Sequence, residues 1–312
     1  MGIVRKLLGA AIVVGGAGVI AGWFLTAPDP LAADEIPVVT EGAAARGERT
    51  FWAGGCSSCH AQPKSEGDAR LRLAGGLELN TPFGTFVAPN ISTDREDGIG
   101  GWSIENFANA MLRGVSPGVS HYYPAFPYSS YARMEPSDIA DLYAFMQTLP
   151  AVDGKAPDHA LGFPFNIRRG VGMWKLLNLS SAPVVALADG ASPAVRNGRY
   201  IVEGPGHCGE CHTPRDFMGG LKKAAWLSGA AAAEGSGTVP NITPGEDGIG
   251  AWSEDEIVEF LTTGFTPEFD SAGGAMADVV ANMAMLPDED RAAIAAYLKA
   301  VPALPDGHPS RN

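Results

Sequence analysis

Two short stretches carry the residue types that could do chemistry, Cys56-Ser57-Ser58-Cys59-His60 and Cys208-Gly209-Glu210-Cys211-His212. Two thiols at positions i and i+3, followed at once by an imidazole, reach the two vinyl groups of one haem and set a nitrogen against its iron. The same run could also supply half of a zinc site or a dithiol redox pair. The two copies use all four cysteines of the chain, so none is left to complete an all-cysteine zinc site or a separate disulfide. Each copy therefore reads as a covalent haem c site. Cys56 and Cys59 attach one haem and Cys208 and Cys211 the other, with His60 and His212 as iron ligands.

The elements that must position these motifs form an internal repeat. A short helix is expected over Ala43 to Trp52 before the first motif and over Ala194 to Glu203 before the second, each with glycine and arginine inside and an aromatic after. Pro89-Asn90-Ile91 follows His60 at 29 residues and Pro240-Asn241-Ile242 follows His212 at 28. Next come Asp97-Gly98-Ile99-Gly100-Gly101-Trp102-Ser103 and Asp247-Gly248-Ile249-Gly250-Ala251-Trp252-Ser253, so the halves are copies of one unit. Ser103 and Ser253 are N-cap candidates, and Glu256 completes a capping box with the second. Closing helices are expected over Ser137 to Leu149 and Asp288 to Ala300, each stopped by proline.

No stretch of comparable length alternates with period two, so the body reads as all-α. The expected layout is residues 1–28 as an N-terminal segment, 40–150 and 191–304 as two tandem haem domains, and 151–190 as a structured strap. The strap is expected to carry one helix, Val171 to Leu179. Its length and its aromatics, in Phe163-Pro164-Phe165, set it apart from a loose linker.

With 312 residues and a net charge of −13, the chain is long enough for two domains and too acidic for nucleic acid. Its charge suits steering toward a basic face on a partner. Residues Leu7 to Ala27 carry no charge, after Arg5 and Lys6 and before Asp29, Asp34 and Glu35. This predicts a transmembrane anchor with the positive flank in the cytoplasm and everything after Pro28 outside. A cleaved signal peptide is the alternative, but its apolar core is shorter and Leu31-Ala32-Ala33 is a poor cleavage site. Gly18 and Gly22 are spaced for helix packing, and simple tolerance of glycine in a membrane helix accounts for them equally well.

These residues resemble the multihaem cytochrome c subunits of periplasmic, membrane-bound dehydrogenases of the alcohol and gluconate type. The resemblance is carried by Pro89-Asn90-Ile91, Gly98 to Ser103, Tyr123-Pro124-Ala125-Phe126-Pro127-Tyr128, Phe163-Pro164-Phe165-Asn166, and His207 through Arg215. It covers nearly all of the chain after about residue 40. Many such subunits carry three haem motifs, and this chain has two. The resemblance implies two tandem cytochrome c-like domains and electron transfer from the catalytic subunit of a periplasmic dehydrogenase to quinone or a terminal oxidase. It also implies haem domains in the periplasm, at the bacterial inner membrane.

A methionine sixth ligand raises the haem potential and leaves no open position at the iron. In the second half Met276 sits in a loop before the last helix, where the resemblance also points; Met283 and Met285 read as packing residues. The matching place in the first half holds Phe126, where several relatives have methionine. Met134 is then the expected ligand there, with His121 as the alternative and Met111 on an apolar helix face. Pro89 and Pro240 are placed to offer backbone carbonyls to the ligating imidazoles. Trp102 and Trp252 could line a haem edge or simply pack. His159 and His308 receive no role. No nucleophile and base pair is visible, so substrate oxidation by this chain alone is not expected. Two further classes remain open, a fixed carrier within a respiratory oxidase and a dihaem peroxidase.

Overall fold

The structure is a computed structural model that describes residues 2–232 and 237–308. Each half is organised by a pair of crossing helices. In the first, α2 (Ala43–Ala53) leads into the five-residue α3 (Cys56–His60), and after α4 (Ile104–Ala108) and α5 (Tyr128–Tyr131) the chain closes with α6 (Pro136–Met146). The strap follows and contains α7 (Val171–Asn178). The second half repeats the pattern with α8 (Pro193–Glu203), α9 (Gly209–His212), α10 (Glu254–Thr263), α11 (Ala275–Met283) and α12 (Asp288–Ala300).

The crossings of α2 with α6 and of α8 with α12 depend on one glycine each. A Cβ added at Gly47 would lie 1.9 Å from the Asp141 carbonyl oxygen, and one at Gly198 would lie 1.8 Å from that of Ala293. Both are far inside van der Waals contact, so only glycine lets the two backbones touch. Around these crossings lie Phe51, Leu142 and Met146 in one half and Val202, Ile294 and Tyr297 in the other, all buried in one continuous core. Helix starts follow local chemistry. Ser103 Oγ accepts from Asn106 N at 3.2 Å, and Ser253 with Glu256 forms the reciprocal box, Ser253 N donating to Glu256 Oε2 at 2.7 Å.

Two parts of the expected fold need correction. The body is not purely helical. Strands β1 (Glu78–Thr81) and β2 (Gly84–Val87) form a hairpin, and β3 (Ala160–Leu161) of the strap joins it antiparallel. In the second half β4 (Ala230–Ala231) pairs with β5 (Thr238–Val239). Strands of two to four residues are too short for a period of two to show in sequence.

The expected transmembrane anchor is not borne out. Its segment folds as helix α1 (Gly2–Leu25), but among the described residues no helix is long and apolar enough to cross a membrane. Side chains at 3–5, 8–14 and 19 lie outside the described residues. Those described near the helix end, 15–18 and 20–25, are rich in glycine, and the end is held by protein. Arg169 donates to the Trp23 carbonyl with its guanidinium over the Trp23 ring, and the Thr26 carbonyl accepts from His121. A Cβ added at Gly18 or Gly22 would meet nothing within 4 Å among the described residues.

Candidate haem centres

Both short motif helices present the same geometry. His60 Nδ1 lies 2.8 Å from the Pro89 carbonyl, and His212 Nδ1 lies 2.8 Å from the Pro240 carbonyl. A carbonyl only accepts, so Nδ1 carries the proton in each ring and Nε2 keeps its lone pair for a metal. Burial holds both imidazoles below their usual pKa, against the opposing pull of the proline carbonyls, which favours the neutral form that a metal requires. Burial, with a neighbouring thiol, pushes Cys56 and Cys208 up to about 12. Cys56 and Cys208, the first cysteine of each motif, thus stand as protonated thiols. Imidazole nitrogen and paired thiols are the donor set that a covalent haem requires, so these residues fit that group.

The sixth-ligand candidates are placed differently. Met134 is buried and lines a cleft of about 170 Å³ together with Cys56, Met111, Tyr131 and Pro205. His121 is not brought to that cleft: its Nε2 donates to the Thr26 carbonyl at 2.9 Å, under the end of α1. Phe126 packs against Tyr128 and Tyr131. In the second half Met276 is half-buried in the first turn of α11, not in a loop, because that helix begins directly after Gly274. Met283 is buried in the core and Met285 is exposed. Trp102 and Trp252 are half-buried against the core, Trp252 edge-on to Phe260. His159 has a structural use, its Nδ1 accepting from Val87 N at 3.1 Å beneath Phe86 and Tyr123.

The halves meet through paired contacts that run in both directions. Asn282 of α11 reaches the first motif, donating from Nδ2 to Ser58 Oγ at 2.7 Å and accepting from Ser57 Oγ at 2.9 Å, while Oδ1 also accepts from Arg70 at 2.6 Å. In the opposite sense Ser129 and Ser130 of α5 donate to Glu210 Oε1 of the second motif, each at 2.8 Å. Burial alone would raise the Glu210 pKa, but Arg215 at 2.6 Å and the two hydroxyls outweigh it and hold the carboxyl below the usual range. Further out, Arg49 of α2 forks onto buried Asp290 of α12, and Tyr200 of α8 donates to Asp138 of α6. Each motif is thus clamped by the other half, an arrangement like the isologous interface of a two-fold dimer.

A diheme cytochrome c-type protein of Cereibacter sphaeroides is 53% identical over 298 residues, which cover 95% of this chain and 97% of that protein. The chain belongs to the dihaem cytochrome c family. The cytochrome c family model matches residues 44–150. The cytochrome subunit of fructose dehydrogenase from Gluconobacter japonicus is 35% identical over 83% of the chain, and the cytochrome c subunit of quinone alcohol dehydrogenase from Gluconobacter oxydans is 38% identical over 84%. The chain spans 52% and 55% of those two proteins, about half of each. For a haem c protein the group, once attached, supplies one-electron chemistry, and the residues described above would hold, orient and insulate it.

Sequence reasoning passed over Asn282, Glu210 and Tyr131, the residues that join the halves. Nothing periodic marks them, since each acts across the interface. One signal was available for Glu210: it puts a charge where the first motif has the neutral Ser58.

Proposed function

We propose that this cytochrome carries two covalent haems c, one in each of the domains 40–150 and 191–304, and passes single electrons between a dehydrogenase and an acceptor. The observation that carries this reading is the pair of imidazoles, each with Nδ1 committed to a proline carbonyl and Nε2 left as a ligand beside two cysteines. Relatives named as cytochrome subunits of fructose, alcohol and gluconate dehydrogenases support a dehydrogenase catalytic subunit as electron donor. A quinone or a terminal oxidase is the acceptor in this reading. Thioether attachment of haem takes place on the exported side of the bacterial inner membrane, so the haem domains work in the periplasm.

Met134 and Met276 complete the coordination, Met134 because it shares a cleft with Cys56 and Met276 because it begins α11 beside the core. With both positions filled, the chain relays electrons and offers no open site to a substrate. The test is direct. Chain purified from a host that matures c-type cytochromes should exceed the polypeptide mass by two haems after denaturation, and a polypeptide of bare mass refutes the reading. Met134→Leu and Met276→Leu should each abolish methionine ligation at one haem, seen in the near-infrared spectrum, whereas His121→Leu should leave both intact. Co-purification of a dehydrogenase from native membranes and periplasm tests the partner.

A further inference from the structure

The position before the first cysteine differs between the two motifs in a way that their shared geometry does not require. In the first half it is Gly55, with φ at 56°, in the left-handed region. In the second half it is His207, also left-handed, with φ at 38°. Glycine occupies this conformation without penalty, while a residue with a Cβ is strained there. Strain of this kind persists where the surrounding structure holds it, and it collects at functional sites. The side chain that occupies the strained position makes one polar contact. His207 Nε2 donates to the Gly54 carbonyl at 3.2 Å, and Gly54 lies two residues before Cys56. The imidazole is also edge-on to the buried ring of Tyr131, with centroids 5.7 Å apart. Tyr131 in turn lines the cleft that holds Cys56 and Met134.

These contacts join the two haem-binding motifs by a short route. His207 is bonded directly to Cys208, and one hydrogen bond connects it to the peptide that leads into Cys56. The other contacts across the halves join a motif to a helix of the opposite half, Ser57 to Asn282 of α11 and Glu210 to Ser129 of α5, and not to the other motif. We propose that His207, packed on Tyr131, is the positioning residue that couples the two haem sites electronically. This rests on the reading that both motifs carry haem. No atom is transferred: one electron leaves one haem iron, which is oxidised by one, and arrives at the other, which is reduced by one.

The experiment uses the full chain with both haems attached, confirmed by mass in every variant. His207→Gly removes the imidazole and suits the left-handed backbone. His207→Phe keeps a ring against Tyr131 but has no donor, and His207→Gln restores an N–H of similar reach. The readout is the rate at which an electron injected by a flash equilibrates between the haems, with the separation of their two potentials measured in parallel. A slowing of about tenfold, equivalent to about 1.4 kcal/mol at the barrier, is expected in the glycine and phenylalanine variants, with most of the rate recovered in the glutamine variant. Denaturation midpoints should show no loss for His207→Gly, because relief of the backbone offsets the lost bond. An unchanged rate in both His207→Gly and His207→Phe overturns the proposal. So does a lowered midpoint for His207→Gly with an unchanged rate, which marks a structural clamp. Absence of haem from the unmodified chain would instead sink the parent reading.

Discussion

Replacing Arg49 with methionine tests whether the two halves are held by their reciprocal contacts. The Arg49 guanidinium forks onto the carboxylate of Asp290, which is 1% exposed, while the arginine side chain is 50% exposed. Removing one partner of a fully buried pair costs about 3 to 5 kcal/mol, because the remaining charge is left without compensation. Here half of the pair is already wet, and Asn197 Nδ2 still reaches Asp290 at 3.3 Å. Solvent screening and that residual bond reduce the expected loss to about 2 to 3 kcal/mol. In a chain of this length that lowers the melting midpoint by about 3 to 5 °C. Methionine keeps much of the aliphatic packing, so the loss reports on the charge. The assay is urea unfolding followed at the haem absorbance and by tryptophan emission. A second signature separates this pair from an ordinary one: the halves should lose cooperativity and unfold in two steps. Arg46→Met is the control, since Arg46 binds Asp141 inside the first half and should leave the halves coupled. Arg49→Lys, which keeps the charge and loses the fork, should recover only part of the stability. A loss below about 0.5 kcal/mol, the range of an exposed pair, would refute the reasoning.

Three further outcomes follow from single residues. Asn282→Ala removes partners from Ser57, Ser58 and Arg70 at a site that is 1% exposed and should cost about 3 kcal/mol in denaturant unfolding, with the first haem perturbed more than the second in absorbance. Gly198→Ala drives a methyl into the Ala293 carbonyl and should cost about 3 kcal/mol or prevent accumulation, whereas Gly18→Ala meets nothing and should leave expression and unfolding unchanged. Lys175 is held down to about 7 by burial, where its Nζ donates to the Arg113 and Gly114 carbonyls. Between that value and the ordinary lysine value the unfolded chain binds more protons, so stability should rise with pH across this window and level off below it. Lys175→Met should flatten that slope and cost about 1 to 2 kcal/mol at pH 9 by leaving the Arg113 carbonyl unpaired; a slope that survives the substitution would show that another group sets it.

The chemistry was legible because it is local. Both motifs, both proline carbonyls and both serine caps involve residues at fixed spacing, and the repeat doubled each signal. The helix pairs were legible for the same reason, although the part played by Gly47 and Gly198 needed the crossing to be seen. What the chain hid is long-range. Asn282 acts 224 positions from Ser58, and the strand Ala160–Leu161 becomes a strand only by finding β2. The apolar run at the N-terminus misled because composition alone does not record that Trp23 and Thr26 are engaged by Arg169 and His121. His121 shows the same limit from the other side: its contact with the Thr26 carbonyl at the end of α1 spans 95 positions and leaves no local mark.

The strap between the halves is fastened at each end. Ala160 and Leu161 are stitched to β2, Lys175 is locked onto the Arg113 and Gly114 carbonyls, and the Val184 and Val185 amides donate to buried Glu203 at 2.6 and 3.0 Å. Lengthening it with glycine and serine at exposed Ser181, between the Lys175 and Val184 fastenings, would therefore extrude a surface bulge and leave the placement of the two halves alone. A spacer in the usual sense sets separation through its length; this one behaves as a seatbelt, so evolution or engineering can hang new loops on it without retuning the pair of redox centres it crosses.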